Sequence, residues 1–228
     1  MAEIFTLYPG KEEFCLLALH GDEWPAREVC LRARQALRCG AVVFNGKKRL
    51  VIFSSTPENG SPERIFEFDP NRIWTHQLAK DISYGLYLDF RSKVFWPIRE
   101  FFEKFKAVIS LHNNGKPKFS VRSFIDGDLK EFARAYVLAN PQGERDFFIV
   151  TKEEDFKNLS SGGFSVVWQN PGVPKDGSLS AWFANKKRFI SIETRTRPLN
   201  SADPRETEKI QLQMLAAALR SIKPRRRT

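Results

Sequence analysis

The segment Leu16-Leu-Ala-Leu-His-Gly-Asp-Glu23 constrains the fold of this chain more than any other stretch. An apolar run of strand length ends in His20, turns at a glycine, and presents Glu23 three residues after the histidine. A helix is predicted immediately afterwards, because Pro25 suits a first helical turn and apolar residues then recur at helical spacing. The pattern predicts a histidine and a carboxylate at the carboxyl end of a strand, where open α/β sheets bind their ligands.

The remainder of the chain continues this alternation of strands and helices. Short apolar runs predict strands at 4–7, 14–19, 41–44, 49–53, 107–111, 147–150, 165–168 and 189–192. Helical spacing predicts helices at about 25–39, at 94–105, at 152–159 and from 203–206 onward. Gly40 is expected to cap the first helix in a left-handed conformation, and Asn45-Gly46 predicts a hairpin between the strands at 41–44 and 49–53. The alternation favours one α/β domain over 1–223 with a mixed sheet covered on both sides, followed by a basic tail at 224–228.

The net charge of +10 raises the possibility of a nucleic-acid partner. Part of that charge lies in the terminal segment 223–227, and the rest is scattered among acidic residues without zinc-finger spacing or a repeated basic helix. These features argue against nucleic-acid binding, and a basic site for anionic substrates explains the charge equally well.

The three cysteines and the lengths of the apolar runs indicate the cellular compartment in which the protein is expected. Cys15 falls in a predicted strand, and Cys30 and Cys39 fall on a predicted helix face, where buried, reduced thiols are expected. No apolar run approaches the roughly 20 residues that span a bilayer, and the N-terminus lacks the features of a signal peptide. We therefore expect a cytoplasmic protein with no membrane partner.

Two of the three histidines directly follow apolar, strand-like runs. His20, Glu23 and His112 would form a two-histidine, one-carboxylate set that suits zinc and leaves a fourth position for water or a substrate oxygen. Glu193 also follows an apolar strand and is a candidate to take up and return a proton. Each residue alone has a simpler interpretation, since a lone histidine at a strand end is more often structural and Glu193 is equally a solvated neighbour of Arg195.

Four motifs taken together resemble the zinc carboxypeptidase superfamily, most closely its branch with aspartoacylase and succinylglutamate desuccinylase. In chain order they are His20-Gly-Asp-Glu23, Arg64 followed by Asp69-Pro-Asn-Arg72, Leu111-His112-Asn113 and Ile192-Glu193. The matched motifs span 14–195. The resemblance implies an α/β fold with a mixed, mostly parallel sheet of roughly eight strands and helices on both faces.

The resemblance also implies roles for the residues that match. His20, Glu23 and His112 would hold one Zn²⁺ ion per chain, and Glu193 would be the general acid/base. Asp69 would orient an imidazole that binds the zinc.

Further matching residues concern the substrate. By the same resemblance, Arg64 would stabilise the oxyanion of the tetrahedral intermediate. Asn71 and Arg72 would bind a substrate carboxylate, since a guanidinium group matches a carboxylate with two parallel hydrogen bonds. Surface solvation is the simpler role for both arginines.

Two departures from the resemblance affect the substrate site. The chain is short for the additional C-terminal β domain of the aspartoacylase branch, and its last tyrosine is Tyr136, too early to be the substrate-binding tyrosine of the superfamily. The loop at 175–180 is a candidate replacement, with Ser178 and Ser180 as hydrogen-bond donors, although an ordinary Asp-Gly turn explains this loop equally well.

We therefore predict a zinc-dependent hydrolase that cleaves an amide or peptide bond next to a free carboxylate. A carboxypeptidase and an N-acyl amino acid deacylase both fit, and the predicted partner is a small molecule or peptide that carries a carboxylate. The alternatives are a non-catalytic carboxypeptidase-like binding domain and a basic nucleic-acid-binding domain in which the motifs are coincidental.

Overall fold

The computed structural model describes residues 4–49, 51–55, 64–72, 84–115, 119–139, 143–171, 173, 178–184, 186–196 and 205–222. Within this part of the chain the strands are β1 Phe5–Tyr8, β2 Phe14–Ala18, β3 Gly40–Phe44, β4 Val51–Ser55, β5 Arg64–Phe68, β6 Ala107–Asn114, β7 Ala133–Val137, β8 Phe147–Val150, β9 Ser165–Gln169 and β10 Arg188–Arg195. The α-helices are α1 Trp24–Leu37, α2 Tyr84–Phe90, α3 Trp96–Glu103, α4 Arg122–Ile125, α5 Glu153–Ser161, α6 Leu179–Phe183 and α7 Glu206–Ile222. A π-helical segment, Arg91–Phe95, joins α2 to α3, and a 3₁₀ turn, Lys130–Phe132, precedes β7.

Eight of the strands form one mixed sheet in the order β1-β3-β2-β6-β10-β8-β9-β7, whereas β4 and β5 form a separate antiparallel pair. Pairing is parallel between β3 and β2, β2 and β6, β6 and β10, and β8 and β9. Strands β2 and β6 are buried over their whole length, as expected for parallel strands covered on both faces. The predicted α/β fold with a mixed, mostly parallel sheet of about eight strands is confirmed.

Two cores lie on opposite faces of this sheet. On one face α1, α5 and α7 pack on the strands, and the core includes Leu111 and Ile192. On the other face α2, α3 and α6 contribute to an aromatic core that includes Phe102, Phe183 and Phe189.

The alternation of side chains along each strand determines which of them project from the face covered by α2, α3 and α6. Leu111 and Ile192 point to the face covered by α1, α5 and α7. Successive side chains of a strand point to opposite faces, so His112 and Glu193 point to the other one. Both lie near the carboxyl ends of β6 and β10, and the site is built at that edge of the sheet.

The predicted hairpin at Asn45-Gly46 is wrong. Strand β3 pairs with β1 and β2, whereas β4 pairs with β5. Strand β3 lies between β1 and β2 in the sheet and is buried over its whole length, so β4 cannot pair with it.

The predicted cap of the first helix is also wrong. Arg38 takes the left-handed conformation, with φ of 53°, and Gly40 already begins β3. A side chain at position 40 would clash with Phe105, because a Cβ atom there would lie 2.2 Å from Cζ of that ring.

Several predictions fall partly on residues outside the described part of the chain. These are the basic tail at 224–228, the helix start at 203–204 and the loop positions 175–177. The three cysteines are buried and free, as predicted. None of the helices in the described ranges has the length and apolar character needed to cross a membrane.

Candidate metal centre

His20, Glu23 and His112 converge at the carboxyl edge of the sheet. His20 lies two residues beyond the end of β2, and Glu23 directly precedes α1, so the tight turn between them brings both side chains to the same place. His112 lies in β6, which is parallel to β2 and adjacent to it. All three are buried, with exposed fractions of 1%, 5% and 5%.

The carboxylate of Glu23 bridges the two imidazoles. Its Oε1 atom lies 2.9 Å from Nδ1 of His20, and its Oε2 atom lies 3.1 Å from Nδ1 of His112. One ligand atom from each of the three residues lies within 4.8 Å of the others. Ligands of a tetrahedral ion with bonds near 2 Å stand roughly 3–3.5 Å apart, so only a small adjustment would admit a metal ion.

The outer nitrogen of each imidazole is held by a second side chain. Nε2 of His20 lies 2.9 Å from Oδ1 of Asp69, and Nε2 of His112 lies 2.8 Å from Oγ of Ser110. When Nε2 carries the proton, Nδ1 keeps a lone pair directed at the centre of the triad. Partners of this kind orient metal-binding histidines in proteins, and the donor set therefore fits a divalent ion.

Arg49 is part of the centre, although the sequence did not suggest it. Its Nη1 atom donates to Oε1 of Glu23 at 2.8 Å, and its Nε atom lies 3.4 Å from Oδ2 of Asp69. The loop that carries Arg49 packs tightly on the turn at Gly21, where a Cβ atom would lie 2.1 Å from the carbonyl oxygen of Gly46. This close packing places the guanidinium group of Arg49 next to the carboxylates of Glu23 and Asp69.

Burial and hydrogen bonding shift the acid–base behaviour of these groups. Burial alone would lower the pKa of His20, but its hydrogen bonds to Asp69 and Glu23 outweigh burial and raise that pKa to about 9. Burial would raise the pKa of Glu23 and of Asp69, but their contacts with the imidazoles have the opposite and larger effect. His112 and His20 hold the pKa of Glu23 well below its ordinary value, and His20 lowers the pKa of Asp69 to about 2. The metal-free centre thus favours ionised carboxylates around a protonated His20.

Glu193 lies on the strand next to His112 and differs from the carboxylates of the triad. It is buried, and its Oε1 atom accepts a hydrogen bond of 3.0 Å from Oγ of Ser191. Burial raises the pKa of Glu193. A raised pKa suits a group that takes up and releases a proton near neutral pH.

A buried polar network fastens the centre to two helices. Gln211 on α7 donates from Nε2 to the carbonyl oxygen of His112 and to Oγ1 of Thr194, at 3.1 Å each. The side chain of Asn113 donates to Thr194 at 3.0 Å and accepts from the backbone N–H of Ala26 on α1 at 2.7 Å. The ends of β6 and β10 are therefore held in place by side chains outside the histidine triad.

A cleft of ≈ 570 Å³, including its open mouth, lies beside His112 and Glu193. It is lined by all four predicted substrate-binding residues, which are Asn71, Arg72, Ser178 and Ser180. It is also lined by Gln169 and Ser191 and by a set of apolar side chains, Phe119, Phe124, Leu129, Phe132, Ile149 and Phe189.

Contacts within the polar end of the cleft hold its segments together. The backbone N–H of Asn71 donates to Asp69 at 2.8 Å, and the carbonyl oxygen of Asn71 accepts from Leu179 at 3.1 Å. Ser178 caps α6, because its Oγ atom accepts from the backbone N–H of Ala181 at 3.3 Å. Asp69 thus connects the histidine triad to the segment expected to bind substrate.

The outcome for the predicted site residues is uneven. The structure brings His20, Glu23, His112 and Asp69 into contact and places Asn71, Arg72, Ser178, Ser180 and Glu193 on the cleft beside His112, while the role of each residue stays a prediction. The backbone of Arg64 begins β5, but its side chain lies outside the described part, so its role stays a prediction. Ser110 and Ser191 were missed, although each lies two residues before a predicted site residue and therefore on the same strand face.

No protein-family model and no curated protein sequence matches this chain. Among solved structures it is similar to succinylglutamate desuccinylase from Chromobacterium violaceum, with 14% identity and a TM-score of 0.52 over 99% of this chain and 68% of that one. A bacteriophage poly-gamma-glutamate hydrolase matches with 9% identity and a TM-score of 0.44 over 97% and 89%. Succinylglutamate desuccinylase from Vibrio parahaemolyticus matches with 12% identity and a TM-score of 0.47 over 96% and 60%. The first similarity confirms the predicted resemblance at the level of the fold.

Proposed function

We propose that this protein is a zinc-dependent hydrolase that cleaves an amide or peptide bond next to a free carboxylate. The observation that carries the proposal is the bridging of two imidazole Nδ1 atoms by Glu23, with Asp69 and Ser110 holding the outer nitrogens. In a metal site both imidazoles must direct a nitrogen to the same point, as the two Nδ1 atoms do here beside Glu23. Two histidines with a purely structural role would not need to share a carboxylate beside a cleft.

Zinc is the proposed ion because two imidazoles and one carboxylate are the ligands it commonly takes at catalytic sites. When bound, it would polarise the carbonyl of the scissile bond and lower the pKa of a water molecule. Arg49 lies against Glu23 and Asp69, and its positive charge offsets part of the negative charge of these two carboxylates.

Glu193 is proposed to move the proton. Its carboxylate accepts a proton from the water molecule as the water oxygen bonds to the carbonyl carbon. It then gives that proton to the amide nitrogen as the carbon–nitrogen bond breaks, which leaves a carboxylic acid and a free amine. The buried position of Glu193 and its raised pKa support this role, because the group must hold the proton between the two transfers.

The substrate carboxylate is proposed to bind Arg72, with Asn71 beside it. Arg72 is exposed at the cleft and is carried by the same turn as Asp69, to which its backbone N–H donates at 2.8 Å. Ser178 and Ser180 face the same cleft and would donate to other substrate oxygens. Arg64 is proposed to stabilise the oxyanion.

The proposal is tested by a hydrolysis screen of N-acyl amino acids and short peptides with zinc, with a chelator, and with zinc restored. These substrates come first because the Chromobacterium protein of the same fold is a succinylglutamate desuccinylase. We expect release of a free amino acid that the chelator stops and zinc restores. Zinc binding without hydrolysis of any substrate would favour the non-catalytic alternative. A cytoplasmic location and the absence of a nucleic-acid partner stay predictions from the sequence.

A further inference from the structure

One helical run, formed by α2, the π-helical segment and α3 over residues 84–103, carries apolar side chains on its outer side. Its inner side packs into the aromatic core that includes Phe102. Tyr84, Leu88 and Trp96 are instead exposed, by 75%, 46% and 37%. Large apolar side chains that lie exposed and close together are typical of a surface that contacts a partner.

The π-helical segment aligns these three side chains. Tyr84 and Leu88 are four residues apart and therefore lie on the same side of α2. In an uninterrupted α-helix Phe95, seven residues after Leu88, would come next on that side. The wider turn of the segment Arg91–Phe95 shifts the alignment by about one residue, so that Phe95 is buried and Trp96 is exposed. Tyr84, Leu88 and Trp96 thus form one line of apolar side chains, the outer stripe.

Basic side chains lie over aromatic rings of this surface. Cζ of Arg91 and Cζ of Arg99 lie 4.8 Å and 4.7 Å from the ring centroid of Trp96, and Nζ of Lys186 lies 4.3 Å from that of Trp182 on α6. Burial and the nearby charge of Arg99 lower the pKa of Lys186. Cations held near one another on a surface attract an anionic partner.

The charge around the outer stripe is positive in sum. Residues 84–104 and 186–187 carry six basic and three acidic side chains. Two of the acidic ones, Asp89 and Glu103, already lie against lysine or arginine side chains, and the third, Glu100, is exposed. A second copy of this surface would face it with the same sign of charge, which disfavours a symmetric contact between two chains.

The covered ring of Trp96 and the exposed side chain of Leu88 favour lipid over nucleic acid as the partner. Bases stack on open ring faces, but the guanidinium groups of Arg91 and Arg99 already lie over the ring of Trp96. An aliphatic side chain such as that of Leu88 gains more among acyl chains than against a base or a phosphate. Trp, Tyr and Leu beside Arg and Lys are typical of helices that lie in the interface of an anionic bilayer.

We infer that the outer stripe docks on the surface of an anionic lipid bilayer. Its apolar side chains enter the headgroup region, and Arg91, Arg99 and Lys186 contact lipid phosphates. This corrects the expectation from the sequence that the protein has no membrane partner, since binding of this kind needs no helix that crosses the bilayer. Vesicle binding does not require the proposed hydrolysis, because these side chains are not among the described residues that line the cleft.

The test is flotation of the full chain with vesicles of phosphatidylcholine alone and with vesicles that contain about one third phosphatidylglycerol. We expect binding to the anionic vesicles to be at least about tenfold tighter at low salt. The absence of binding to anionic vesicles, or equal binding to both kinds, would overturn the inference.

Substitutions then locate the contact. Leu88→Glu should weaken binding to anionic vesicles about tenfold or more, because a carboxylate replaces an inserted apolar side chain. Leu212→Glu makes the same change on α7 at a leucine of nearly equal exposure, 45%, and should bind almost as the wild type does. Tyr84→Glu, at the most exposed position of the stripe, repeats the test if Leu88→Glu misfolds. Binding that survives both Leu88→Glu and Tyr84→Glu would show that the contact lies elsewhere.

A pair of lysine variants tests the contribution of charge. Lys186→Gln and Lys11→Gln each remove one positive charge from an exposed residue. We expect a loss of about fivefold in affinity for anionic vesicles in the first and little change in the second. Equal losses would contradict the placement of Lys186 at the lipid surface.

Light scattering and titration with a single-stranded oligonucleotide examine the other possible partners of the outer stripe. A monomer without affinity for the oligonucleotide supports the lipid surface. A dimer that Leu88→Glu dissociates and Leu212→Glu leaves intact would identify a second copy as the partner instead. Oligonucleotide binding with the same dependence on Leu88 would identify nucleic acid, and either result would overturn the inference.

Discussion

His112 and Glu193 occupy paired positions on the neighbouring parallel strands β6 and β10, and both side chains project from the same face of the sheet. Ser110 and Ser191 form an equivalent pair two residues earlier, and Ser110 contacts His112 while Ser191 contacts Glu193. Backbone pairing of two strands, rather than a loop, therefore sets the separation between a proposed metal ligand and the proposed proton carrier.

Replacing the carboxylate at position 193 should separate metal binding from chemistry. We expect Glu193→Gln to retain zinc but to lose roughly 10²- to 10⁴-fold in kcat, because the amide cannot carry the proton between water and the leaving nitrogen. The exposed substitution Glu12→Gln is the matched control. Steady-state kinetics on the best substrate, with zinc content measured on the same samples, checks this, and full activity in Glu193→Gln would rule out the proposed proton transfer.

Asp69 should set zinc affinity without being a ligand. We expect Asp69→Asn to weaken zinc binding roughly 10- to 100-fold, since the amide orients and polarises His20 less well than the carboxylate does. Asp22→Asn, an exposed change in the turn next to the triad, should bind zinc as the wild type does. Competition with a chromophoric chelator measures both, and unchanged affinity in Asp69→Asn would show that the contact is incidental.

Zinc affinity should depend strongly on pH. His20 has a pKa of about 9 in the metal-free protein, and a histidine must lose its proton to bind a metal. Apparent zinc affinity should therefore rise roughly tenfold per pH unit between pH 6 and pH 8, with release of a proton on binding. Calorimetry in buffers of different ionisation enthalpy checks the proton release, and an affinity independent of pH would contradict the protonation of His20.

The same pKa predicts how the stability of the metal-free protein varies with pH. The ordinary pKa of histidine is near 6.5, so the stabilising contribution of protonated His20 is complete below that pH and is lost as the pH rises through about 9. Denaturant midpoints of chelator-treated protein should fall over this interval. Zinc-loaded protein, in which His20 is already deprotonated, should not show that fall.

The turn at Gly21 should not tolerate a side chain. A Cβ atom at position 21 would lie 2.1 Å from the backbone oxygen of Gly46, so Gly21→Ala should destabilise the fold by about 1–3 kcal/mol and displace the loop of Arg49. Gly115→Ala is the control, since its Cβ atom would meet nothing nearer than Oγ1 of Thr196 at 4.0 Å. Chemical denaturation measures the difference, and equal stability of the two variants would contradict this packing.

The residues that the sequence could predict share one property. His20, His112 and Glu193 each follow or end a short apolar run, and parallel strands deliver such residues to one edge of the sheet whatever their separation in the chain. Ser110 and Ser191 could have been found in the same way, because a polar side chain two residues earlier lies on the same strand face.

The remaining features depend on contacts that local sequence does not encode. Arg49 lies in a loop, and its partners are set by the packing of Gly21 against Gly46. Asn45-Gly46 has the sequence of a hairpin turn, but the sheet gives β3 other neighbours. Gly40 follows the first helix, as a glycine cap would, but Arg38 takes the left-handed conformation instead. The absence of a side chain at Gly40 allows the ring of Phe105 to pack against the backbone there.

Zinc content after reconstitution and exhaustive dialysis is the decisive measurement for the convergence of His20, Glu23 and His112 on one ion. We predict about one zinc per chain in the wild type and almost none in His112→Ala. His76→Ala removes the one histidine of the sequence outside the triad and should keep the wild-type content. If His112→Ala retained as much zinc as the wild type, the three residues would not form the metal site.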